Sequence, residues 1–340
     1  PINAMATAAS ASPRHSNSNG GICSWSFAGL GSGSSSWKVI GPSSILPTCS
    51  SDMADASSRI THVSDTALMV AACRAMESGL PDHFFNDPFA ERLAGERGMA
   101  IARALPRLPV MHFGVAVRTR FMDGIVMDCV REHGVRTVLS VGCGLDSRPW
   151  RLELPASLDW VEADFPAMLD YKNSVMGGET PRCRLSQMPV DLNDAGQRMT
   201  MLRRAGDGPG LMITEGLLAY LPGPTIEAIA AEAPVHGGIR YWLSDITSPA
   251  FARMVGMDLY ADVQKMRAAN HIHGLEILDV LAQRGWTSFL AKRYASGPDL
   301  FEFAAARIQG LAAARERAGL PEPPRPPADD PTGVHLFRYH

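Results

Sequence analysis

The 340-residue sequence predicts an α/β fold with a doubly wound, mostly parallel sheet and helices on both of its faces. Two observations lead to this prediction. Short apolar runs rich in β-branched and aromatic residues alternate with longer stretches whose apolar residues recur at helical spacing. One of the short runs also leads directly into a glycine-rich turn, which is typical of ligand-binding corners in such sheets.

Strands and helices are expected to alternate through the C-terminal two thirds of the chain. The expected strands are 135–141, 158–164, 210–216, 239–245, 287–294 and 334–340, with a weaker candidate at 184–190. The expected helices are near 166–176, 194–205, 224–233, 249–269, 274–284 and 299–317. This alternation is typical of parallel strands that are covered by helices on both faces.

Helices are also expected before the first strand. The first begins near Ser64, with Ser64 or Asp65 as its cap. The second has Pro88 in its first turn and ends near Gly95. A longer amphipathic helix is expected over 114–133.

The N-terminal segment differs in composition from the rest of the chain. Residues 1–51 contain 14 Ser but no Asp or Glu. Such a segment buries too little apolar surface to offset its chain entropy, so a disordered tail is expected over 1–58. It is also typical of an organelle transit peptide, for a plastid or another organelle; the other interpretation is an artefact of the assigned start. The remainder, 59–340, is expected to form a single domain.

Composition and charge argue against several classes of protein. With 32 basic and 35 acidic residues, the net charge of -3 argues against nucleic-acid binding by bulk charge. No apolar run approaches the roughly 18 residues of a membrane span. The six cysteines form no close CxxC pair, which favours a reducing compartment and a cytoplasmic location. The His-x-His pair at 271–273 has no evident third ligand, so no metal site is expected.

The strongest functional signal lies in the segment VLSVGCGLDSR. It places Gly142 and Gly144 after a strand, where a backbone without Cβ can approach a ligand closely. Asp164, with Glu162 two residues earlier, ends the next strand, where an acid can accept both ribose hydroxyls of a nucleoside. Ser147 takes the place of the third glycine of a dinucleotide fingerprint, which favours S-adenosylmethionine over NAD because S-adenosylmethionine has no phosphate. A tight turn that binds no ligand is the remaining interpretation.

Other segments place polar side chains near the same edge of the sheet. Glu215 follows a predicted strand directly, as a ligand-binding acid, a helix cap or a solvated carboxylate. Asp191 is a candidate for binding an adenine amino group, or an ordinary turn residue. Arg118 and Arg120 are two positions apart on a predicted helix, so one can turn inward to hold a carboxylate while the other stays at the surface.

Six ordered segments together resemble the bacterial-type branch of the leucine carboxyl methyltransferase family of S-adenosylmethionine-dependent enzymes. They are SDTALMVAACRA (64–75), FFNDPFAERLAG (84–95), VRTRFMD (117–123), VLSVGCGLDSRPWRL (138–152), VEADFPAMLDYK (161–172) and ITEGLLAYLP (213–222). The resemblance covers about 62–245 and implies a class I methyltransferase-like, Rossmann-like fold. It also implies a helical cap over the substrate pocket, formed by about 60–130 and 248–275.

The resemblance implies roles for particular residues. Arg118 corresponds to the arginine that holds the methionine carboxylate of the cofactor, and Glu215 to the acid near its amino group. The full cofactor-binding set is Arg118, Gly142, Gly144, Glu162, Asp164, Asp191, Leu192 and Glu215, with Asp191 and Leu192 flanking the adenine. Tyr220, at the substrate mouth, and Arg118 are the candidates for catalysis.

Two departures from the family pattern bear on the substrate. Members that act on a phosphatase C-terminus carry a lysine on the first helix, but this helix reads TALMVAAC. Its absence argues against methylation of a phosphatase. Cys143 replaces the more usual alanine between the loop glycines, a small-for-small change that is expected to be neutral.

The function that these observations predict is S-adenosyl-L-methionine-dependent O-methylation. The methyl acceptor is expected to be a carboxyl or hydroxyl group of a small molecule or peptide C-terminus. A hydroxyl acceptor needs a general base, for which His112, His271 and His273 are candidates, whereas a carboxylate needs none. The alternatives are an NAD-dependent oxidoreductase and a methyltransferase-like binding protein without turnover.

Overall fold

The computed structural model describes the chain from residue 62 onward, with several gaps. The described residues are 62–105, 107–206, 208–255, 271–272, 274–294, 297–319, 327 and 329–340. The predicted tail at 1–58 lies outside them. So does much of the predicted cap at 248–275.

The strands of the described residues form one mixed, mostly parallel sheet. They are β1 (Thr137–Val141), β2 (Asp159–Asp164), β3 (Arg184–Pro189), β4 (Gly210–Thr214), β5 (Ile239–Ile246), β6 (Trp286–Arg293) and β7 (Gly333–Tyr339). Their order is β3-β2-β1-β4-β5-β7-β6. Strands β1 to β5 are parallel, and β7 lies antiparallel between β5 and β6. The predicted α/β fold is therefore confirmed, and the weaker strand candidate at 184–190 is the edge strand β3.

Helices connect the strands and precede the sheet. They are α1 (Val63–Ser78), α2 (Ala90–Arg103), α3 (Leu108–Glu132), α4 (Arg148–Arg151), α5 (Pro166–Met176), α6 (Ala195–Arg203), α7 (Gly223–His236), α8 (Pro249–Val255), α9 (Leu275–Gln283) and α10 (Pro298–Arg317), with a 3-10 turn at Leu218–Tyr220. Within these described segments, no helix has both the length and the apolar character to cross a membrane.

The core lies on both faces of the sheet because successive strand residues point to opposite sides. On one face, strand residues such as Leu139 and Met212 pack with apolar side chains of α6, α7 and α9. On the other face, Val138 and Leu211 pack with α3, and Val334 of β7 with α3 and α10. This two-sided burial explains the nearly continuous apolar runs of β1 and β4.

Two predicted helix ends differ from the observed ones. The cap of α1 is His62, because its backbone N–H donates to Asp65 Oδ2 at 3.0 Å in a capping box. Asp65 therefore sits in the first turn. The second helix does not end at Gly95, because α2 continues to Arg103 across a kink at which Gly95 has φ 57°.

Candidate functional site

A cavity of about 510 Å³ lies at the carboxyl ends of the central strands. Residues of α1 and α3 line it as well as the loops after β1, β2, β4 and β5. Six of the residues predicted from the sequence line this cavity together: Arg118, Gly142, Gly144, Asp164, Glu215 and Tyr220. Its place is the switch point where β1 has β2 on one side and β4 on the other, the ligand-binding crevice of open α/β sheets.

The loop after β1 requires glycine at its first position. Gly142 has φ 61°, in the left-handed region that residues with a Cβ avoid. A Cβ added there would lie 2.8 Å from Leu217 Cδ1. The N–H of Gly142 donates to the carbonyl of Ala163 at 2.8 Å. The turn is thereby held against the end of β2, and its backbone forms part of the cavity wall.

Asp164 joins this loop to the end of β2. Its Oδ2 accepts a hydrogen bond from the N–H of Gly144, and its Oδ1 accepts one from the N–H of Phe165, each at 2.7 Å. Burial raises the pKa of Asp164 above its ordinary value, although both hydrogen bonds act in the opposite direction. Each carboxylate oxygen has a second lone pair, so Asp164 can still accept hydroxyl donors from a ligand. The ring of Phe165, which is 49% exposed, lines the cavity beside it.

Glu162 does not line the cavity, so the structure gives no support to its predicted contact with the cofactor. It is fully buried, with Oε1 2.5 Å from Lys172 Nζ and Oε2 accepting from Gln187 Nε2 at 2.9 Å. Both carboxylate oxygens are therefore used to hold α5 and β3 against β2. Glu162 and Asp164 share a face of the strand, but only Asp164 reaches its end.

Asp191 and Leu192 lie next to the cavity without lining it. Asp191 Oδ1 accepts from the backbone N–H of Asn193 at 3.0 Å and from its side-chain amide at 3.1 Å, which is a turn contact. Leu192 is buried in the core. Asn193 does line the cavity, and its Oδ1 accepts from the Thr225 hydroxyl at 2.9 Å. The residue that this segment presents to a ligand is thus the neighbour of the predicted pair.

Arg118 lies in a cluster of largely buried charges at the ends of β4 and β5. Its Nε donates to Glu215 Oε1 at 2.9 Å, and its Nη1 donates to Asp245 Oδ2 at 3.1 Å. The other oxygen of Glu215 accepts from Arg148 Nη1 at 2.8 Å. The other oxygen of Asp245 accepts from the N–H of Gly216 at 2.6 Å. Acids and arginines therefore alternate along one side of the cavity.

The charges of this cluster are fixed by their partners. Burial by itself would raise the pKa of Glu215, but the Arg148 and Arg118 guanidiniums outweigh it and lower the pKa to about 2. Burial by itself would lower the pKa of Arg118, but Glu215 and Asp245 outweigh it and raise the pKa. Glu215, Arg118 and Arg148 are therefore ionised at neutral pH. Arg120 is exposed, so the two arginines diverge as the sequence predicts.

Ser147, in the place of a third glycine, has a structural explanation. Its hydroxyl donates to Asp87 Oδ2 at 2.6 Å and accepts from Arg151 Nε at 3.1 Å. Asp87 also accepts from Arg74 Nε at 2.9 Å, and Arg74 Nη2 donates to the carbonyl of Leu145 at 2.6 Å. These buried contacts tie the glycine loop to α1 and to the segment before α2. A glycine at this position would remove one of the ties.

Sequence reasoning missed Asp245 and Asn193. Asp245 was recoverable, because it ends a predicted strand at the carboxyl edge in the same way as Glu215. Asn193 had only its proximity to Asp191 as a signal.

The described residues place no histidine in the cavity wall. In the part of the chain that the structure describes, no group of three or more His, Cys, Asp or Glu residues is arranged to hold a metal ion. His112 lies 3.0 Å from Glu77, and His271 forms an isolated bridge with Pro222. Neither lines the cavity. His273 lies outside the described residues.

Sheet order, the glycine loop after β1 and the strand-end acids define the fold of class I S-adenosylmethionine-dependent methyltransferases. A crystal structure from Thermobifida fusca, provisionally named a methyltransferase, is similar with a TM-score of 0.50 at 14% identity, over 84% of this chain and 96% of that one. Residues 67–233 match the model of the leucine carboxyl methyltransferase family. The resemblance predicted from the sequence is thereby confirmed.

Curated relatives agree with this match. A protein of Mycobacterium avium is 36% identical over 182 residues, which cover 48% of this chain and 59% of the relative. One of Streptomyces coelicolor is 34% identical over 181 residues, covering 49% and 62% respectively. Both have provisional names as S-adenosyl-L-methionine-dependent methyltransferases. The match thus spans about three fifths of the length of these relatives.

Proposed function

We propose that this protein is an S-adenosyl-L-methionine-dependent O-methyltransferase whose acceptor is a carboxyl or hydroxyl group of a small molecule or peptide C-terminus. The observation that carries the proposal is the placement of Arg118, Glu215 and Asp164 around one cavity. These three side chains match the carboxylate, the ammonium and the ribose hydroxyls of the cofactor. The match of residues 67–233 to the leucine carboxyl methyltransferase family supports the same cofactor.

The residues that are present fit the amino-acid end of S-adenosylmethionine. Arg118 uses Nε and Nη1 for its acidic partners, and its Nη2 has no hydrogen bond to any residue that the structure describes. This leaves a charged donor for the methionine carboxylate. Glu215 and Asp245, which line the same region, supply acceptors for the ammonium group. A site for an uncharged ligand would have no need of this arrangement.

The other end of the cofactor has matching groups across the glycine loop. Asp164 would hold the ribose hydroxyls with its free lone pairs. The Phe165 ring offers a face on which a planar base can stack, and Asn193 offers an amide for hydrogen bonds. Gly142 lets the backbone lie against the nucleoside without a side chain between them.

The chemical contribution of the chain is to align and to exclude water. The bound cofactor supplies an electrophilic methyl group. Alignment of a nucleophile in line with that methyl group can lower the barrier by about 7–11 kcal/mol at best. Met69, Met111, Val115 and Ile277 give the cavity apolar lining, and Tyr220 adds a hydroxyl. This lining suits an acceptor with an apolar body and one oxygen nucleophile.

A carboxylate acceptor is the simpler match to these residues. It needs no general base, and no described histidine lines the cavity. Glu215 cannot act readily as that base, because two arginines keep its pKa at about 2. A phenol or alcohol acceptor would need a base other than Glu215, such as one of the aspartates that line the cavity or a water molecule.

The test is calorimetric titration with S-adenosylhomocysteine, with NAD titrated beside it. We expect binding of S-adenosylhomocysteine and no comparable binding of NAD. Tight binding of NAD, or no binding of S-adenosylhomocysteine, would sink the proposal. Incubation with methyl-labelled S-adenosylmethionine and a panel of carboxylates and phenols would then separate the two acceptor classes, because methyl esters are hydrolysed by base and methyl ethers are not.

A further inference from the structure

The hydroxyl group of Tyr294 takes part in none of the hydrogen bonds described so far. Its oxygen is shielded from solvent and has no hydrogen-bond partner among the residues that the structure describes. The residue follows β6, and its backbone N–H donates to the carbonyl of Thr332 at 3.2 Å. Its ring packs near that of Phe251, with 6.2 Å between centroids. A buried hydroxyl without a hydrogen-bond partner costs free energy, so its presence at this position calls for an explanation.

The strand register places Tyr294 on the face of the sheet that carries Asp245. Asp245 pairs with Val334 on β7, and Val334 pairs with Lys292 on β6. Cross-strand neighbours share a face, and Tyr294 is two residues beyond Lys292, so its side chain belongs to that face as well. The same face is covered by α3, whose Arg118 donates to Asp245. Tyr294 therefore lies beside the cluster of largely buried charges.

The electrostatics of Tyr294 agree with this position. Burial raises its pKa well above the ordinary value for tyrosine, and the charges of Asp245 and Glu215 raise it further, while Arg118 acts in the opposite direction. The phenol is therefore protonated and within electrostatic reach of both acids. A neutral O–H beside a carboxylate can only act as a donor to it.

Arg118 must serve two partners when a ligand with a carboxylate binds. Its Nη1 now donates to Asp245 Oδ2. If the guanidinium holds the ligand carboxylate with both Nη2 and Nη1, as a bidentate pair, the bond from Nη1 to Asp245 weakens and Asp245 Oδ2 loses its donor. Asp245 Oδ1 keeps the N–H of Gly216. A second donor to Oδ2 would stabilise the complex with the ligand. The Tyr294 hydroxyl can supply it, because it is a hydrogen-bond donor without a partner among the described residues.

We infer that Tyr294 is a positioning residue for the amino-acid end of the cofactor, because its hydroxyl donates to Asp245 once Arg118 has turned to the ligand carboxylate. This inference rests on the proposed function. Tyr294 does not line the cavity, so it acts through Asp245 and Arg118. Its effect is therefore confined to ligands that carry the carboxylate.

The test compares two ligands in one variant. S-Adenosylhomocysteine has the amino-acid end, whereas 5′-methylthioadenosine lacks it. In Tyr294→Phe we expect the affinity for S-adenosylhomocysteine to fall by roughly 10- to 100-fold, the effect of one hydrogen bond to a charged group, and the affinity for methylthioadenosine to stay unchanged. The ratio of the two affinities is independent of the fraction of folded protein. Combined with Asp245→Asn, the Tyr294→Phe change should have a much smaller effect on the ratio.

A matched control is available in Tyr171→Phe. The Tyr171 hydroxyl donates to the carbonyl of Leu93 at 2.9 Å, and Tyr171 does not line the cavity. This variant should keep the wild-type ratio of affinities. An unchanged ratio in Tyr294→Phe, or equal weakening of both ligands, would overturn the inference alone. If the wild-type protein binds neither ligand, the proposed function falls and the inference falls with it.

Discussion

Asp164→Ala tests the central contact of the site, the link between the glycine loop and a bound ribose. The substitution removes the acceptor of two backbone N–H groups, those of Gly144 and Phe165, each at 2.7 Å. It also removes the lone pairs that we assign to the ribose hydroxyls. The variant therefore has two separable consequences, one for folding and one for binding.

The magnitudes follow from the bonds that are lost. A hydrogen bond to a charged group contributes about 1.5–3 kcal/mol when it is buried. Water can reach this half-buried turn and replace part of the loss, so the free energy of unfolding should fall by about 1–3 kcal/mol. For binding, the lost ribose contacts should raise the Kd for S-adenosylhomocysteine by roughly 10- to 100-fold.

Calorimetric titration at a temperature where the variant is folded, checked by a thermal melt, measures the binding effect. The control is Asp159→Ala at the opposite end of the same strand. There an exposed carboxylate pairs with Arg184 at 2.7 Å, so the control should bind the ligand like the wild type. An Asp164→Ala protein that is folded and binds S-adenosylhomocysteine with wild-type affinity would refute the ribose assignment.

Three further substitutions test the site and the sheet. Glu215→Gln should lower the free energy of unfolding by about 3–5 kcal/mol at neutral pH, because it removes one partner of a buried pair. The folded pKa of Glu215, about 2, lies below the ordinary 4.5, so its contribution is present above pH 4.5 and is lost as the pH falls toward 2; urea unfolding should show the two proteins converging there. Gly142→Ala should lower stability by at least about 1–2 kcal/mol because of its positive φ and its clash with Leu217, whereas Gly124→Ala, in open space on α3, should not; melts that shift equally would contradict this. Burial lowers the pKa of His335 below 6.5, so the stability that its neutral form contributes is present above pH 6.5 and is lost as the pH falls. His335→Gln should therefore flatten the dependence of the free energy of unfolding on pH below 6.5. An unchanged slope in the variant would contradict this prediction.

The parts of the fold that the sequence predicts are those with local signals. A run of apolar residues that ends in Gly142 indicates both the strand and its ligand-binding turn. The antiparallel place of β7 between β5 and β6 has no such signal, because strand order in space is set by packing rather than by order in the chain. Gly95 also looked like a helix end, although the chain kinks there and resumes its helix.

The site was predictable to the extent that its residues end strands. Asp164 and Glu215 both do, and both line the cavity. Glu162 is also an acid and lies on the same face of β2 as Asp164, but Lys172 of α5 pairs with it. No local sequence pattern indicates which lysine will form such a pair. Asn193 does not end a strand, and it lines the cavity only because of the path that the loop after β3 takes. Contacts between segments that are distant in the sequence determine whether Glu162 and Asn193 line the cavity, so the sequence alone does not predict it.

The alternation of arginines and acids around Arg118 has a consequence for the way a zwitterion enters. Each guanidinium of this cluster faces a carboxylate, so the charges of the protein balance one another within the site. Binding of the zwitterionic amino-acid end therefore exchanges partners within this set of charges and adds no net charge to it. Such an exchange depends on short contacts, which salt hardly screens. The balanced charges also produce only a weak electric field outside the protein. Selectivity for the zwitterion then comes from the geometry of the exchange, and a ligand with only one of the two charges would leave a buried partner without its counterpart.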